Sequence, residues 1–147
     1  MKRILLVVIV LSYWITATQG QAVRKIGENY GGGIIFYVSP DSIHGLIAEK
    51  VDQGICNFIE AKSIVRLGVH SKEGEKYNDW RLPNIGELVR LSKNQEIVGG
   101  FCSNYYWSST IEDLRYAWIS NLALNSSYDE KFVSIYENYS VRAVRDF

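Results

Sequence analysis

Two Asn-x-x-Glu signatures place two helices in the middle of the chain. Asn57 is followed three residues later by Glu60, and Asn84 is followed three residues later by Glu87. In this pattern the Asn side chain caps a free amide of the first helical turn while the Glu side chain reaches back. Strand-like runs flank this central part on both sides, so the helices are segregated from the strands. That order predicts an α+β fold.

The strand-like runs are rich in β-branched and aromatic residues and are separated by turn residues. Residues 34–38 and 43–48 are predicted to form an N-terminal hairpin. The late strands are predicted at residues 105–110, 116–122, 131–136 and 140–146. No helix separates the late strands, so we expect antiparallel pairing. The helices are predicted to bury Phe58, Ala61, Ile64, Val65 and Leu67 in the first, and Ile85, Leu88 and Leu91 in the second.

Length and charge restrict the class of protein. The 147 residues fit one domain, or at most two very small ones. The chain has 16 Lys plus Arg and 16 Asp plus Glu, so its formal charge is zero. Nucleic-acid binding needs a clustered basic surface, and this balance gives it no electrostatic support.

The first twenty residues are typical of a secretory signal peptide. Lys2 and Arg3 precede an apolar run over residues 4–15, and small or polar residues follow. The run spans 12 residues, fewer than the roughly 20 that a membrane-crossing helix needs. We therefore expect cleavage after Gly20, and the alternative is an uncleaved N-terminal anchor helix.

Cleavage would leave a lead-in over residues 21–29 and one domain over residues 30–147. The mature chain would carry 14 basic and 16 acidic residues and would have no membrane segment. We expect it to be secreted, to the extracellular space, the cell surface or the periplasm. In such an oxidising compartment Cys56 and Cys102 either pair in a disulfide or remain two separate thiols, and both alternatives stay open.

Three groups of residues carry a resemblance to a known family. The first is a glycine-led strand with its hairpin partner, the second is an Asp-Trp-Arg-Leu-Pro segment entering the second helix, and the third is a set of aromatic strands ending in Val-Arg-Ala-Val-Arg. They occupy residues 31–37 with 44–48, residues 79–88, and residues 106–110, 116–118 and 141–145. In this order they resemble the bacterial secreted domains named after the C-terminal domain of collagen-like adhesins, the Lcl-C type.

The resemblance covers residues 30–147 and implies a C-type-lectin-like fold. In that fold two helices pack on antiparallel sheets, and the first and last strands lie side by side. The formylglycine-generating enzymes have a distantly similar fold. Pairing of the two terminal strands would also cover two apolar edges that are otherwise exposed.

One group of residues is expected to support the fold rather than to bind a ligand. Trp80 is a large anchor, Pro83 excludes helix before Asn84, and the Arg81 guanidinium can fork onto carboxylate or carbonyl oxygens. Arg142 and Arg145 are expected to pair with acidic groups at a sheet edge. The group as a whole is Trp80, Arg81, Pro83, Trp107, Arg142 and Arg145.

Metal-dependent and enzymatic functions have little support in the sequence. Calcium-dependent sugar binding needs converging carboxylate and amide oxygens, and Leu82 stands where an acidic ligand would be expected. His44 and His70 are isolated from any Cys cluster, which argues against zinc. A nucleophile needs a base beside it, and no such motif is present. We therefore expect no cofactor, no metal and no catalysis. Copper binding at the two cysteines would instead support an oxidase-like enzyme.

The C-terminal third has the composition of a binding surface. Between residues 103 and 140, 18 of 38 residues are Tyr, Ser or Asn. Such residues give broad contact area and adaptable hydrogen bonds. An antiparallel sheet with one solvent-exposed face, however, has a similar composition. Alternation puts Tyr116, Trp118 and Ser120 on one strand face and Ala117 and Ile119 on the other, and leaves open which is core. The candidate ligand-binding residues are Tyr105, Tyr116, Trp118, Asn121, Asn125, Tyr128 and Tyr139.

These observations favour a secreted, non-catalytic recognition module that binds an extracellular glycan or protein surface in an adhesion-type role. The resemblance supports adhesion without identifying the ligand or the oligomeric state. The alternative is a structural subunit of a surface assembly, in which the same aromatic face is a protein–protein interface. An oxidase-like enzyme of the formylglycine-generating fold is the third reading.

Overall fold

The computed structural model describes residues 22–68, 70–102, 105–123 and 129–147. Within these ranges the chain forms three α-helices and two β-sheets, which confirms the α+β prediction. The helices are α1 (Phe58–Leu67), α2 (Ile85–Lys93) and α3 (Gln95–Val98). The strands are β1 (Asn29–Tyr30), β2 (Gly33–Val38), β3 (Gly45–Ala48), β4 (Gly54–Cys56), β5 (Tyr105–Ile111), β6 (Tyr116–Asn121), β7 (Glu130–Ser134), β8 (Tyr139–Val141) and β9 (Val144–Asp146).

The first sheet joins the N-terminal hairpin to the last strand. Its order is β1-β2-β3-β9, and all its pairs are antiparallel. Leu46 of β3 lies opposite Asp146 of β9, and Ala48 lies opposite Val144. The neighbour of the last strand is therefore the second strand of the hairpin, because the other side of the first hairpin strand is occupied by β1. The expected contact between the two ends of the domain is present, but the first strand does not make it.

The second sheet has the order β4-β8-β5-β6-β7 and is mixed. The pairs β5–β6 and β6–β7 are antiparallel as predicted, whereas β5 and β8 are parallel through Tyr106 and Ser140. The predicted strand over residues 140–146 is wrong as one element. It divides at Arg142 and Ala143, so β8 belongs to the second sheet and β9 to the first. The strand β4 was not predicted.

Both long helices begin at the predicted caps. The Asn57 side chain accepts from the amides of Ile59 and Glu60, both at 3.0 Å, and Asn84 forms a complete capping box with Glu87. The prediction that Leu67 is buried was wrong, because it is the last residue of α1 and is 86% exposed. Of the residues predicted to be buried, the structure buries Phe58, Ala61 and Val65 in α1 and Leu88 and Leu91 in α2, whereas Ile64 and Ile85 are only half-buried.

The two helices cover different parts of the second sheet. α1 contacts β4, β5 and β8, whereas α2 contacts β5 and β6 and also reaches β2 of the first sheet. Two buried tryptophans anchor this core, and the ring N–H of each donates to a carbonyl: Trp80 to Gly74 at 2.9 Å and Trp107 to Cys56 at 2.7 Å. Burying such a polar ring atom is tolerated because it has a partner.

The segment before α2 is fastened to the last strand. Arg81 and Val144 exchange two backbone hydrogen bonds, each 2.9 Å long. The Arg81 guanidinium donates to both oxygens of Glu87, at 2.7 and 2.8 Å, and also to Asp146. Pro83 follows and is buried. The Arg81 side chain thus holds together the helix cap, the segment before it and β9.

Arg142 lies at the crossing between the two sheets and is completely buried. Its Nε donates to Asp52 Oδ1 at 2.6 Å. Its Nη1 donates to the carbonyls of Glu49 and Gly99 at 2.8 and 3.2 Å, and its Nη2 donates to the Gly100 carbonyl at 2.5 Å. The acidic partner expected from the sequence is therefore Asp52, but the pair lies in the interior and not at a sheet edge.

The surroundings of Asp52 complete this network. Its second oxygen, Oδ2, accepts from the Tyr106 hydroxyl at 2.8 Å and from the Cys102 amide at 3.0 Å. The Arg142 guanidinium also lies over the Phe101 ring, 4.2 Å from its centroid. A buried charge is stable only when it is paired and its other donors are satisfied, and both conditions are met here.

Replacing Arg142 with Met tests this network. The variant keeps an unbranched side chain but leaves the Asp52 carboxylate and three carbonyls without their donor. We expect the free energy of unfolding to fall by about 3–5 kcal/mol, measured by urea denaturation. Arg66→Met, in the exposed last turn of α1, is the matched control and should cost less than about 1 kcal/mol. Similar losses in the two variants would contradict the assigned role.

Candidate functional site

The structure shows which face of β6 is core. Ala117 and Ile119 are completely buried, whereas Tyr116 and Trp118 point away from them. Tyr116 is 40% exposed and Trp118 is half-buried. The alternation read from the sequence is therefore correct for these four residues. Ser120, which it assigns to the face of Tyr116, is buried opposite Tyr106, so that face is open to solvent only toward the Tyr116 end of the strand.

A third ring from β7 joins these two. Phe132 is the register partner of Trp118 and is 51% exposed. Its ring contacts Tyr116 and Trp118 edge to face, with centroid separations of 5.9 and 5.6 Å. Cross-strand aromatic pairs of this kind stabilise a sheet while leaving ring faces open to solvent. We call Tyr116, Trp118 and Phe132 the aromatic ridge.

Further exposed apolar side chains lie at the end of the sheet where Tyr116 begins β6. Leu114, in the turn between β5 and β6, is 93% exposed, and Ile111 at the end of β5 is 55% exposed. Tyr136, in the turn that follows β7, is 71% exposed. Tyr116 pairs with Ser134, so both turns lie at the same end. We call Ile111 and Leu114 the apolar tip.

Hydrogen bonds fix the orientation of the ridge. The Trp118 ring N–H donates to Glu112 Oε2 at 3.0 Å. The Asp113 carboxylate accepts from the amides of Arg115 and Tyr116 at 2.6 and 3.1 Å, which closes the turn that carries Leu114. Such an Asx turn holds the backbone in place while its neighbouring side chains project outward. The ridge is therefore presented by ordered strands and an ordered turn.

Two other predicted residues lie on the opposite face of the sheet. Tyr105 and Asn121 are register partners, and both contact the Asp129 carboxylate. The hydrogen bond from the Tyr105 hydroxyl, followed by that from Asn121, lowers the pKa of Asp129. The ionised carboxylate thus joins the start of β5 and the end of β6 to the start of β7. Tyr105 and Asn121 are both half-buried in this polar cluster.

Tyr139 packs beside this cluster and is half-buried. Its ring meets the buried Trp107 edge to face at 5.2 Å and the Tyr105 ring at 6.2 Å, and its hydroxyl donates to Glu137 Oε2 at 2.7 Å. Burial, with a smaller contribution from the bond to Glu137, raises the pKa of Tyr139 to about 12. Tyr139 therefore stays protonated at physiological pH and contributes much of its area to packing.

The predicted binding residues are thus divided between two faces. Tyr116 and Trp118 lie together in the aromatic ridge, whereas Tyr105, Asn121 and Tyr139 form the other group. Asn125 and Tyr128 lie outside the described residues. The analysis of the sequence missed Phe132 and Leu114. Alternation within the strand predicted over 131–136 places Phe132 and Val133 on opposite faces. Only the register with β6 shows that Phe132 contacts Trp118.

The cysteines occupy different environments. Cys56 is buried and belongs to the core that includes Trp107, whereas Cys102 is exposed. The structure holds both as free thiols, which is the second of the two alternatives left open by the sequence. Burial raises the pKa of the Cys56 thiol, so its reactive thiolate form is disfavoured.

Within residues 22–68, 70–102, 105–123 and 129–147, no three His, Cys, Asp or Glu side chains are grouped so that they could hold a metal ion. None of the helices in this described part of the chain has the length and apolarity that a bilayer crossing requires.

The fold and the ridge define a small α+β domain that presents an ordered aromatic surface. Residues 37–145 match the family model described as the Lcl C-terminal domain. This match covers most of the chain, so the protein belongs to the Lcl C-terminal domain family, as its sequence motifs predicted. No curated protein matches the sequence significantly.

Alkylation distinguishes the two cysteine states. In the native protein at mildly alkaline pH, without reductant, iodoacetamide should modify Cys102 rapidly and Cys56 only after unfolding, because the Cys56 thiol is buried and its pKa is raised. Peptide mass spectrometry identifies the modified residue. A protein in which neither cysteine is modified even when unfolded would contain the disulfide and would contradict the structure.

Proposed function

We propose that this domain is an exported, non-catalytic recognition module that attaches to a glycan or protein surface through the aromatic ridge. The observation that carries the proposal is the contact of two exposed rings, Tyr116 and Phe132, with the half-buried Trp118, on strands whose other face is core. Membership of the Lcl C-terminal domain family is consistent with an adhesion-type role.

The ridge has the physical properties of a contact surface. Exposed aromatic residues are enriched in interfaces because they bury large areas and have few rotatable bonds to immobilise. Phe132 and Tyr116 already restrict each other through edge-to-face packing, so binding would cost them little further entropy. The exposed aliphatic side chains of the apolar tip, Leu114 and Ile111, lie at the same end of the sheet. Exposed apolar groups gathered at one end of a folded domain mark an interaction site.

We also propose that the fold is C-type-lectin-like. The pairing of β3 with β9, which closes the two ends of the domain on one another, supports this assignment. The non-catalytic assignment is supported by the cysteines. An oxidase-like site of the formylglycine-generating kind uses two neighbouring active-site thiols, whereas Cys56 lies in the core and Cys102 faces solvent.

A structural subunit of a surface assembly is the second candidate, and the edge of the second sheet favours it. β7 is the outermost strand of that sheet among the described residues. The hydrogen bonds from Asn121 to Asp129 and from Ile135 to Arg115 fix the ladder, so the N–H and C=O of Phe132 point away from β6. An edge of this kind can accept another strand.

Binding assays with a ridge variant test the proposed function. The purified protein is applied to a glycan array and to a panel of immobilised extracellular-matrix proteins, with and without EDTA. We expect binding to at least one of these surfaces. Phe132→Ala should weaken it by about ten-fold or more, because a central aromatic contact is lost. Leu67→Ala, which removes an even more exposed apolar side chain from α1, should leave binding unchanged.

Two results would contradict the proposal. Equal binding by the wild-type and Phe132→Ala proteins would place the contact surface elsewhere. Absence of binding to every surface, together with oligomers that grow with concentration in light scattering and are lost in Phe132→Ala, would establish the assembly subunit instead.

A further inference from the structure

A groove lies between α1 and the segment that leads into α2, with β5 beside it. Its volume is about 460 Å³, which is within the roughly 300–1,000 Å³ typical of small-molecule sites. Residues of all three elements line it, and no acidic residue is among them. We call it the α1 groove.

The floor of the α1 groove is apolar. Val65 and Leu82 line it and are only 2% and 5% exposed, so both belong to the core and are fixed in place. Lys62 and Arg66 line the groove on the same side of α1 as Val65. Long basic side chains carry apolar methylene stems beneath their charges. The floor and these stems therefore favour a ligand with an apolar body.

The α1 wall of the groove carries positive charge that no carboxylate neutralises. Lys62 and Arg66 are exposed and form no ion pair with an acidic side chain among the described residues. The Lys62 ammonium lies 4.5 Å from the centre of the Phe58 ring, a contact that supplies no full negative charge. The Arg66 guanidinium keeps all of its donors for a ligand or for water. An anion would be attracted to this wall.

The opposite wall is already held in place by the fold. Arg81 also lines the groove, but its guanidinium donates to Glu87 and Asp146, so its charge is compensated. The Ser109 amide donates to the Pro83 carbonyl at 2.7 Å, which ties β5 to the segment before α2. A ligand would therefore have little backbone to order when it binds.

Two neutral donors are available at this second wall. The Asn84 side-chain oxygen accepts from the Glu87 amide, and the Asn84 NH₂ group makes no hydrogen bond within the part of the chain that the structure describes. The Ser109 hydroxyl makes none there either. Both side chains are exposed and line the groove. A carboxylate accepts several hydrogen bonds at once, so these donors can act together with the two cations.

We propose that the α1 groove binds a small amphiphilic carboxylate. Its apolar body covers the floor at Val65 and Leu82, and its carboxylate accepts from Arg66, Lys62 and the two neutral donors. A neutral molecule leaves the cations unpaired, and an anion without an apolar body leaves the floor uncovered, so both bind more weakly. No residue of the aromatic ridge lines the groove, so this proposal and the proposed function can fail separately.

An NMR titration of the ¹⁵N-labelled purified protein tests the proposal, at neutral pH and low salt so that the surface charges are little screened. The probe is 4-phenylbutyrate, 4-phenylbutan-1-ol is its neutral match, and acetate is the carboxylate without the apolar body. We expect saturable shifts at the groove residues with 4-phenylbutyrate. Both comparison compounds should bind about five-fold more weakly or less tightly still, because each lacks one of the two contributions.

Variants of the groove identify the contacts. Arg66→Gln should weaken binding of 4-phenylbutyrate by about five-fold and change that of 4-phenylbutan-1-ol by less than about two-fold, because only the charge contact is lost. Ser109→Trp should abolish binding of both, because the new ring fills the groove. Lys72→Gln, which changes an exposed lysine that does not line the groove, is the matched control and should bind like the wild type. Circular dichroism confirms that each variant is folded.

Several outcomes would overturn the proposal. These are absence of 4-phenylbutyrate binding, equal or tighter binding of either comparison compound, and shifts that map away from the α1 groove. Unchanged binding in folded Arg66→Gln or in folded Ser109→Trp would also overturn it. Phe132→Ala should retain 4-phenylbutyrate binding, and its loss in that variant would place the site at the aromatic ridge instead.

Discussion

The buried guanidinium of Arg142 is the interaction on which the architecture depends. Desolvating an ion costs several kcal/mol, so this side chain is tolerated only because Asp52 and the carbonyls of Glu49, Gly99 and Gly100 all accept from it. These acceptors come from the connection after β3 and the connection after α3. Because Arg142 also separates β8 from β9, one side chain fixes the point at which the chain leaves the second sheet and enters the first.

Two surface features follow from that crossing. On the first sheet it brings β9 beside β3, so Arg145 approaches the Gly31 turn and donates to its carbonyl. On the second sheet it returns β8 to β5, so Ala117 and Ile119 face the core and the aromatic ridge faces solvent. The Arg145–Gly31 contact and the aromatic ridge therefore belong to different sheets of one domain.

Local signals in the sequence predicted the local structure well. The Asn57 and Asn84 caps, the N-terminal hairpin and three of the late strands depend on neighbours within a few residues. The short β4, the division at Arg142 and the parallel β5–β8 pair depend on contacts between distant parts of the chain, such as Gly54 with Val141. The periodicity of a single segment cannot reveal which distant parts of the chain are in contact.

The same distinction holds for the binding surfaces. Alternation placed Tyr116 and Trp118 on one face, but only the sheet register brings Phe132 to them. Arg145 likewise contacts the Gly31 carbonyl and the Tyr77 ring, which are far from it in sequence, so composition could not predict this arrangement.

The central claim is that the ridge faces solvent on a packed domain, and hydroxyl-radical footprinting of the purified protein measures this most directly. Mass spectrometry gives the oxidation rate of each residue. The structure predicts that Tyr116 and Phe132 are oxidised nearly as fast as the exposed Tyr136 and much faster than the buried Tyr106 and Trp107. Protection of Tyr116 and Phe132 to the level of Tyr106 and Trp107 would contradict it.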